Sequence, residues 1–470
     1  MFTQYATRNR QYAIRTCTRV ANLIEMTPPR PTVYIETYGC QMNVSDSELM
    51  LGALAGVGYE AVDSPDGADV ILVNTCAIRD HAEQRVIGRL GELKRHMKPD
   101  SILGVTGCMA QRLGPRLLES AKHVSLVIGP DGYRALPTLV DRARHGARAT
   151  AVTFDLEEHY EDFTPRRIDK VKAWIPVQRG CDYKCTYCIV PTTRGPERSR
   201  LLPDVVREVK QAITDGLTEV VLLGQTVNSY TAGGHDFADL LRAVGGVTGV
   251  RRLRFTSPHP NDFSDRVIAA MAETPAMCEH VHLPMQSGSS RTLRRMLRRY
   301  TREEYFQCVA RLRAAIPGLS VTTDIIVGFP GETDADFEET LSAVREVGFS
   351  DAYTFKFSVR EGTPASRFPE SEMIPDDIAS ERLERLIATM RAATRERNMR
   401  ALGQRHEVLI EKAARRGGLL QARTRDFRTV IIPGTEDMIG SYLTVELTGT
   451  TGSTFTGAPV AERQPLPLAG

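Results

Sequence analysis

The run GCDYKCTYCIVP places Cys181, Cys185 and Cys188 in a Cys-x3-Cys-x2-Cys loop. Three thiolates from one loop hold three irons of a 4Fe–4S cluster and leave the fourth iron without a protein ligand. An open iron is what a chelating cofactor needs. S-adenosylmethionine (SAM) can bind such an iron through its amino and carboxylate groups, and an electron delivered into its sulfonium breaks a C–S bond. Zinc is the competing reading. It takes four ligands, usually in paired Cys-x2-Cys spacing, and a lone three-cysteine loop fits it poorly.

A second set of three is scattered. YIETYGC ends at Cys40, ILVNTC at Cys76 and LGVTGC at Cys108. Each apolar run reads as a buried strand, and ligands of open parallel sheets bind outside the carboxyl ends of the strands. Cysteines far apart in sequence can therefore converge. Gly39 and Gly107 precede two of them and permit a tight turn beside a bound group. Buried cysteine is common by itself, so the argument rests on the repeated placement. The chain has nine cysteines, an odd number that argues against a disulfide framework and for a reducing compartment. Cys17, Cys278 and Cys308 receive no role, and the last two sit in helical contexts that suit packing.

The elements that must position these groups read as an α/β chain of about three domains. Residues 31–145 alternate strands, at Val33–Glu36, Val70–Val73, Ile102–Val105 and Ser125–Ile128, with helices near 46–57, 80–97, 112–121 and 133–144. That alternation predicts an N-terminal parallel sheet covered on both faces. Residues 146–170 are acidic and then carry Pro165, which predicts a linker. From 171 to 375, strands at Trp174–Gln178, Glu219–Leu223, Arg252–Phe255, His280–Leu283, Ser320–Val327 and Ala352–Phe357 alternate with helices, giving a partial (β/α)6 barrel. Residues 376–402 read as one connecting helix, and 403–470 as a small all-β barrel of the oligonucleotide-binding kind. Residues 1–30 carry Arg8, Arg10, Arg15 and Arg19 before the first acid, Glu25. This faintly echoes a transit peptide, but a disordered extension, or a start at Met26, is the favoured expectation. The absence of any run of 18 apolar residues predicts no membrane helix.

The cysteine loop is the signature of the radical SAM superfamily. GCQMNVSDSE, NTCAIRDHAEQR, GCMAQR, RGCDYKCTYCIVPTTRGPERSR, GQTVNSY, FTSPHPNDF, HLPMQSGS and TDIIVGFPGETDADFEET, in that order, resemble the methylthiotransferase family across nearly the whole chain. CIVPTTRGPERSR and GQTVNSY are most similar to the branch that modifies isopentenylated adenosine beside the tRNA anticodon. The resemblance implies a radical SAM cluster on Cys181, Cys185 and Cys188, and a second, auxiliary 4Fe–4S cluster on Cys40, Cys76 and Cys108. It implies two molecules of SAM, one methylating sulfur at the auxiliary cluster and one yielding the 5′-deoxyadenosyl radical. It also implies a C-terminal RNA-binding TRAM domain, an electron donor such as flavodoxin or ferredoxin, and a cytoplasmic enzyme expected to be monomeric. Such chemistry suits the target, because general acid–base catalysis, worth about 10²–10⁴-fold, works only on protons that can be shifted, and the C2–H of adenine is not one. Two residues depart from the family pattern: Thr226 where Asn is usual and Arg299 where Gly is usual. Neither is expected to touch a cluster ligand.

Supporting residues are expected at the strand ends. Tyr187 would lie near the cofactor adenine, Gly224 and Gln225 near its amino group, and the stretch Gly328 to Glu332 near the adenine edge; ordinary turn or core packing is the alternative for each. For RNA, arginines crowd 291–302, including Arg298 and Arg299, and residues 405–428 carry seven Lys/Arg against three acids, including Arg415, Arg416, Arg423, Arg425 and Arg428. Such clusters suit phosphate contact, although a charge run is commonly only a solvated face. The rival readings are methylthiolation of a ribosomal-protein aspartate or of threonylcarbamoyl-adenosine, and, in another class, a non-enzymatic iron–sulfur RNA-binding sensor.

Overall fold

The computed structural model describes residues 30–77, 80–415 and 417–460, with backbone alone for 80–84. The expected extension over 1–30 (Arg30 apart), Cys17, Arg416 and residues 461–470 lie outside the described residues.

The first layer is a six-stranded parallel sheet of β1 (Thr32–Tyr38), β2 (Glu60–Ala61), β3 (Val70–Thr75), β4 (Ile102–Gly107), β5 (Leu126–Ile128) and β6 (Ala149–Ala151), in the order β2-β1-β3-β4-β5-β6. Every residue of β3 and β4 is buried, as expected where helices cover both faces. Helices α1 (Gln41–Ala55) and α5 (Leu136–Arg144) pack on one face. Helices α2 (Asp80–Leu93), α3 (Cys108–Leu113) and α4 (Pro115–Ser120) pack on the other. The strand order reverses between β1 and β3, which is where doubly wound sheets bind ligands.

Three expectations need correction. Helix α1 begins at Gln41, not near 46, because the Asn43 side chain accepts the Cys40 N–H at 3.2 Å and secures the first turn. The helix expected over 112–121 is two, broken at Gly114, whose positive φ and following Pro115 end the first. The expected linker is not free chain. Its start forms β6, and Tyr160 is buried, stacking on Tyr133 with ring centroids 6.0 Å apart.

The central layer is a partial barrel. Strands β7 (Lys172–Pro176), β10 (Glu219–Leu223) and β13 (Arg252–Phe255) form one parallel group, and β14 (His280–His282), β15 (Ser320–Val327) and β16 (Asp351–Lys356) the other; a Leu253–Met277 bridge joins them. The short pair β8 (Gln178–Arg179) and β9 (Arg198–Ser199) brackets the cysteine loop, and β11 (Thr231–Ala232) with β12 (His235–Asp236) is a peripheral hairpin. The outer helices are α6 (Val190–Arg194), α7 (Leu202–Thr214), α8 (Phe237–Gly245), α9 (Asp265–Glu273), α10 (Ser290–Arg295), α11 (Arg302–Ala315) and α12 (Asp334–Val347). Their apolar faces and the outward strand residues make the largest core. Helix α13 (Asp376–Met399) leads into a closed barrel, β17 (Arg405–Ala413), β18 (Leu419–Thr424), β19 (Thr429–Pro433), β20 (Tyr442–Thr450) and β21 (Thr454–Pro459), ordered β17-β18-β19-β21-β20.

This small barrel closes the amino ends of the central strands. Arg252 Nη1 donates to the Arg423 carbonyl at 2.8 Å, and Arg254 donates to the carbonyls of Arg425 and Thr424, both at 2.9 Å. Phe427 stacks on His280 at 4.3 Å, and Lys172 pairs with Glu411 at 2.5 Å. The opposite, carboxyl end of the barrel carries the cysteine loop.

Candidate iron–sulfur active site

The loop Cys181–Cys188 turns between β8 and α6. Gly180 has φ +77°, and a Cβ there would lie 1.8 Å from the Pro196 carbonyl oxygen. Only glycine lets the chain enter the loop so close to its exit. Gly180→Ala is therefore expected to unfold at a clearly lower temperature and to hold less iron after reconstitution, read by thermal denaturation and iron assay; wild-type values for both would refute it. The loop is buttressed from β10. The Gly180 N–H donates to Gln225 Oε1 at 2.6 Å, and Gln178 Oε1 accepts the N–H groups of Gln225 and Thr226, each at 3.0 Å. Thr226 Oγ1 lies 3.1 Å from Cys181 Sγ. The expectation that neither departure from the family pattern touches a cluster cysteine is thus corrected for Thr226.

Within the loop, the Cys188 N–H donates to the Cys185 carbonyl at 3.0 Å. Burial pushes the Cys188 thiol up to about 12, helped by the charges of Cys185 and Cys181. Burial also raises Cys181, against the pull of Thr226. Arg298 Nη1 donates to Cys185 Sγ at 3.4 Å, and its Nε donates to the Tyr300 hydroxyl at 3.1 Å. Arg298 is buried. It does not lie on an RNA-facing surface, as its charged neighbourhood had predicted.

Cys40, Cys76 and Cys108 end β1, β3 and β4 and are brought to one end of the sheet. A hydrogen bond with Cys76 draws the Cys40 thiol down to about 6, against burial and with help from Arg194. Burial raises Cys108; Arg194 opposes the shift and the charge of Cys40 adds to it. Arg194 Nε donates to Cys108 Sγ at 3.3 Å, and its Nη2 donates to Asp46 Oδ2 at 2.7 Å. Asp46 Oδ1 lies 3.1 Å from Nη2 of Arg179, which immediately precedes Gly180. Asp46 is 0% exposed. Cys108 also packs with Ala77 and with Ile189, the residue after Cys188. The two cysteine sets therefore share one interface. Among the described residues no three His, Cys, Asp or Glu groups gather on a single-ion site. Cys181, Cys185 and Cys188 lie in the loop after β8, and Cys40, Cys76 and Cys108 follow β1, β3 and β4.

The remaining expected residues divide. Tyr187 meets Phe329 edge-on, centroids 6.5 Å apart, within the apolar cluster around Met296. Gly224 has no room for a Cβ, which would meet Gln178 Oε1 at 2.7 Å, and Gln225 is committed to Gly180. Gly328 has φ +70° and donates its N–H to Glu332 Oε2 at 2.7 Å. Arg382 Nη1 binds the same oxygen at 2.8 Å, while Glu332 Oε1 is buried without a hydrogen-bond partner. Of the arginines expected to meet RNA, Arg291, Arg294, Arg299 and Arg415 are exposed, and Arg291 is paired with Asp336. Arg423 pairs with Glu411, Arg425 with Glu279 and Arg428 with Asp426, so these three are corrected to half-buried structural residues. Asp46, Arg179, Arg194, Gln178 and Thr226 were not singled out as site residues. Their one sequence signal was membership of NVSDSE, RGCDYK, TTRGPERSR and the strand ends.

The chain matches the model of the uncharacterized protein family UPF0004 over residues 32–129, the radical SAM superfamily over 175–344 and the TRAM domain over 400–459. It is 43% identical to the tRNA-2-methylthio-N(6)-dimethylallyladenosine synthase of Chloroherpeton thalassium, over 90% of this chain and 95% of that one. The chain belongs to the tRNA-2-methylthio-N(6)-dimethylallyladenosine synthase family. The family's Acidothermus cellulolyticus member is 43% identical over 90% of this chain and 86% of that one. In fold, the chain is similar to the radical SAM methyltransferase TsrM of Kitasatospora setae, with TM-score 0.54 and 16% identity over 72% of this chain and 77% of that one. It is also similar to the radical SAM enzyme OxsB, with TM-score 0.51 and 12% identity over 77% of this chain and 56% of that one. Membership of the radical SAM superfamily brings a 4Fe–4S cluster and SAM to the chain. Among the described residues no helix is long and apolar enough to cross a membrane.

Proposed function

We propose that the chain is a tRNA methylthiotransferase that converts N6-isopentenyladenosine at position 37, next to the anticodon, to its 2-methylthio form. The observation that carries this is similarity over 90% of the chain to synthases named for that product. Cys181, Cys185 and Cys188 hold the radical SAM cluster, and Cys40, Cys76 and Cys108 hold an auxiliary one. Bound there, cluster and SAM supply the one-electron chemistry that replaces an unactivated aromatic C–H, which side-chain bases cannot do.

The protein's own part is to hold and shield. Arg298 and Arg194 each direct a buried N–H at one thiol and so fix its orientation. Gln178 and Gln225 fix the loop backbone. Tyr187, next to Cys188, and Phe329 of the Gly328–Glu332 turn belong to one apolar cluster, suited to a cofactor adenine. Exposed Arg299, whose guanidinium lies 5.8 Å from the Tyr183 ring within the cysteine loop, and exposed Arg415 of the TRAM barrel are the phosphate contacts this reading retains. The enzyme acts as a cytoplasmic monomer with flavodoxin or ferredoxin as electron donor. A ribosomal-protein aspartate, threonylcarbamoyl-adenosine and a pure sensor role gain no support from the named relatives.

Nucleoside mass spectrometry of tRNA from cells lacking the gene tests the reading. Isopentenyladenosine should accumulate, and its 2-methylthio form should return on complementation. A 2-methylthio level unchanged by the deletion, in cells with no second such enzyme, would overturn it.

A further inference from the structure

The inner wall of the central barrel carries three side chains that neither cysteine set uses. Strand register fixes their face. Val281, Val321, Ile325 and Val327 turn outward into the helix-covered core. The alternate residues His282, Asp324 and Tyr353 therefore share the inner face, with Asp324 directly opposite Tyr353 across β15 and β16.

Their position along the barrel is set on both sides. Toward the floor, His282 Nδ1 and His280 Nε2 both lie 3.0 Å from Thr322 Oγ1, and His280 stacks on Phe427 of the small barrel. Toward the mouth, Ile326 stands two residues beyond Asp324, about 7 Å further along the strand, and packs against the same Met296–Phe329–Ala365 cluster as Tyr187, the residue before Cys188. The trio thus sits midway between the floor and the cysteine loop.

The trio is also built and open. His282 Nε2 lies 3.4 Å from Asp324 Oδ1, which orients the carboxylate, and the Tyr353 ring stands at 68° to the imidazole with centroids 5.9 Å apart. Side-chain exposure is 21% for His282 and 28% for Asp324. Tyr353 is 61% exposed on β16, the edge strand that the partial barrel leaves unpaired on one side. An accessible aromatic face next to an oriented hydrogen-bond acceptor is the pair of features by which enzymes read a base drawn out of its stack.

We propose that this wall reads the target base. Tyr353 covers the purine ring, and the Asp324 carboxylate, steadied by His282, accepts the N–H at N6. The assignment rests on the reading above, that the substrate is an N6-monosubstituted adenosine in RNA. A secondary amine at N6 retains one N–H for Asp324.

The test is binding of the full-length, iron-loaded protein to an anticodon stem-loop RNA carrying isopentenyladenosine, followed by fluorescence anisotropy. Tyr353→Ala is expected to weaken binding about ten-fold, the scale of one lost base–aromatic stack, and Asp324→Ala, which removes the acceptor, by a similar factor, with melting temperature and iron content held. The same RNA carrying N6,N6-dimethyladenosine, which has no N–H at N6, should bind wild type weakly and should lose nothing further in Asp324→Ala. A purely structural Asp324 would weaken both RNAs equally, and that result overturns its assignment. Wild-type affinity in both variants overturns the whole proposal. Failure of the wild-type protein to bind the isopentenylated RNA overturns the functional reading itself, and this assignment with it.

Discussion

Cys108→Ala is expected to lose about half of the iron and sulfide of the reconstituted protein, while still cleaving SAM to 5′-deoxyadenosine and forming no methylthio product. Cys185→Ala should also keep about half of its iron but lose SAM cleavage outright. The two outcomes differ because the cysteines sit on different supports. Cys185 lies in the loop after β8, held by the backbone of Gly180 and by Arg298. Cys108 starts α3 at the end of β4 and meets Arg194. On the proposed assignment neither triad borrows a ligand from the other, so each cluster can be emptied alone. Iron and sulfide assays with product chromatography read the split. Complete iron loss in both variants would mean that the two sets form a single site, and the two-cluster proposal would fall.

How much of this was legible depends on the range over which each signal acts. The Cys181 loop is a short-range spacing and could be read directly. The strands Glu219–Leu223, Arg252–Phe255 and Ser320–Val327 match their expected bounds: EVVLL is an almost continuous apolar run, as buried parallel strands are, while RLRF and SVTTDIIV carry alternating or β-branched residues that favour strands. The start of α1 was hidden because Asn43, Ser45, Asp46, Ser47 and Glu48 are polar yet buried. A periodicity reading assigns such residues to solvent, whereas here they meet partners in distant segments: Asn74 for Asn43, Arg194 for Asp46 and Arg167 for Glu48. The arginines failed for the same reason. Arg298 stands in a basic run, and nothing local says that it turns inward to a sulfur 113 residues away in sequence. Arg423 and Arg425 looked like an RNA surface because charge clustering does not reveal which carboxylate has already claimed each guanidinium, Glu411 on the neighbouring strand for Arg423 and Glu279 across the domain boundary for Arg425.

The contact that joins the sheet domain to the cysteine loop supplies the other large effect. Asp46 is buried between Arg179 and Arg194 and takes one on each oxygen. Two guanidinium charges against one carboxylate leave a buried excess of positive charge, which the sulfur of Cys108 faces through Arg194 Nε. Removing the carboxylate strands both arginines away from water. Breaking a buried ion pair in this way costs about 3–5 kcal/mol, a large share of the stability of an ordinary domain. Asp46→Asn keeps the shape, and the Asn could still accept one N–H, so the loss isolates charge rather than packing. Its melting temperature should fall by several degrees and its iron should bleed faster to a chelator, because the group that fixes Arg194 beside Cys108 is gone. Glu396→Gln supplies the contrast: its pair with Arg400 is exposed on both sides, and such pairs contribute little. Equal melting temperatures for Asp46→Asn and Glu396→Gln would show that the Asp46 pair is not what holds the sheet to the barrel, leaving that to their apolar contacts and to pairs such as Arg167 with Glu48 and Arg198 with Asp131. A selective loss in Asp46→Asn would place the coupling between the two cysteine sets in this one carboxylate.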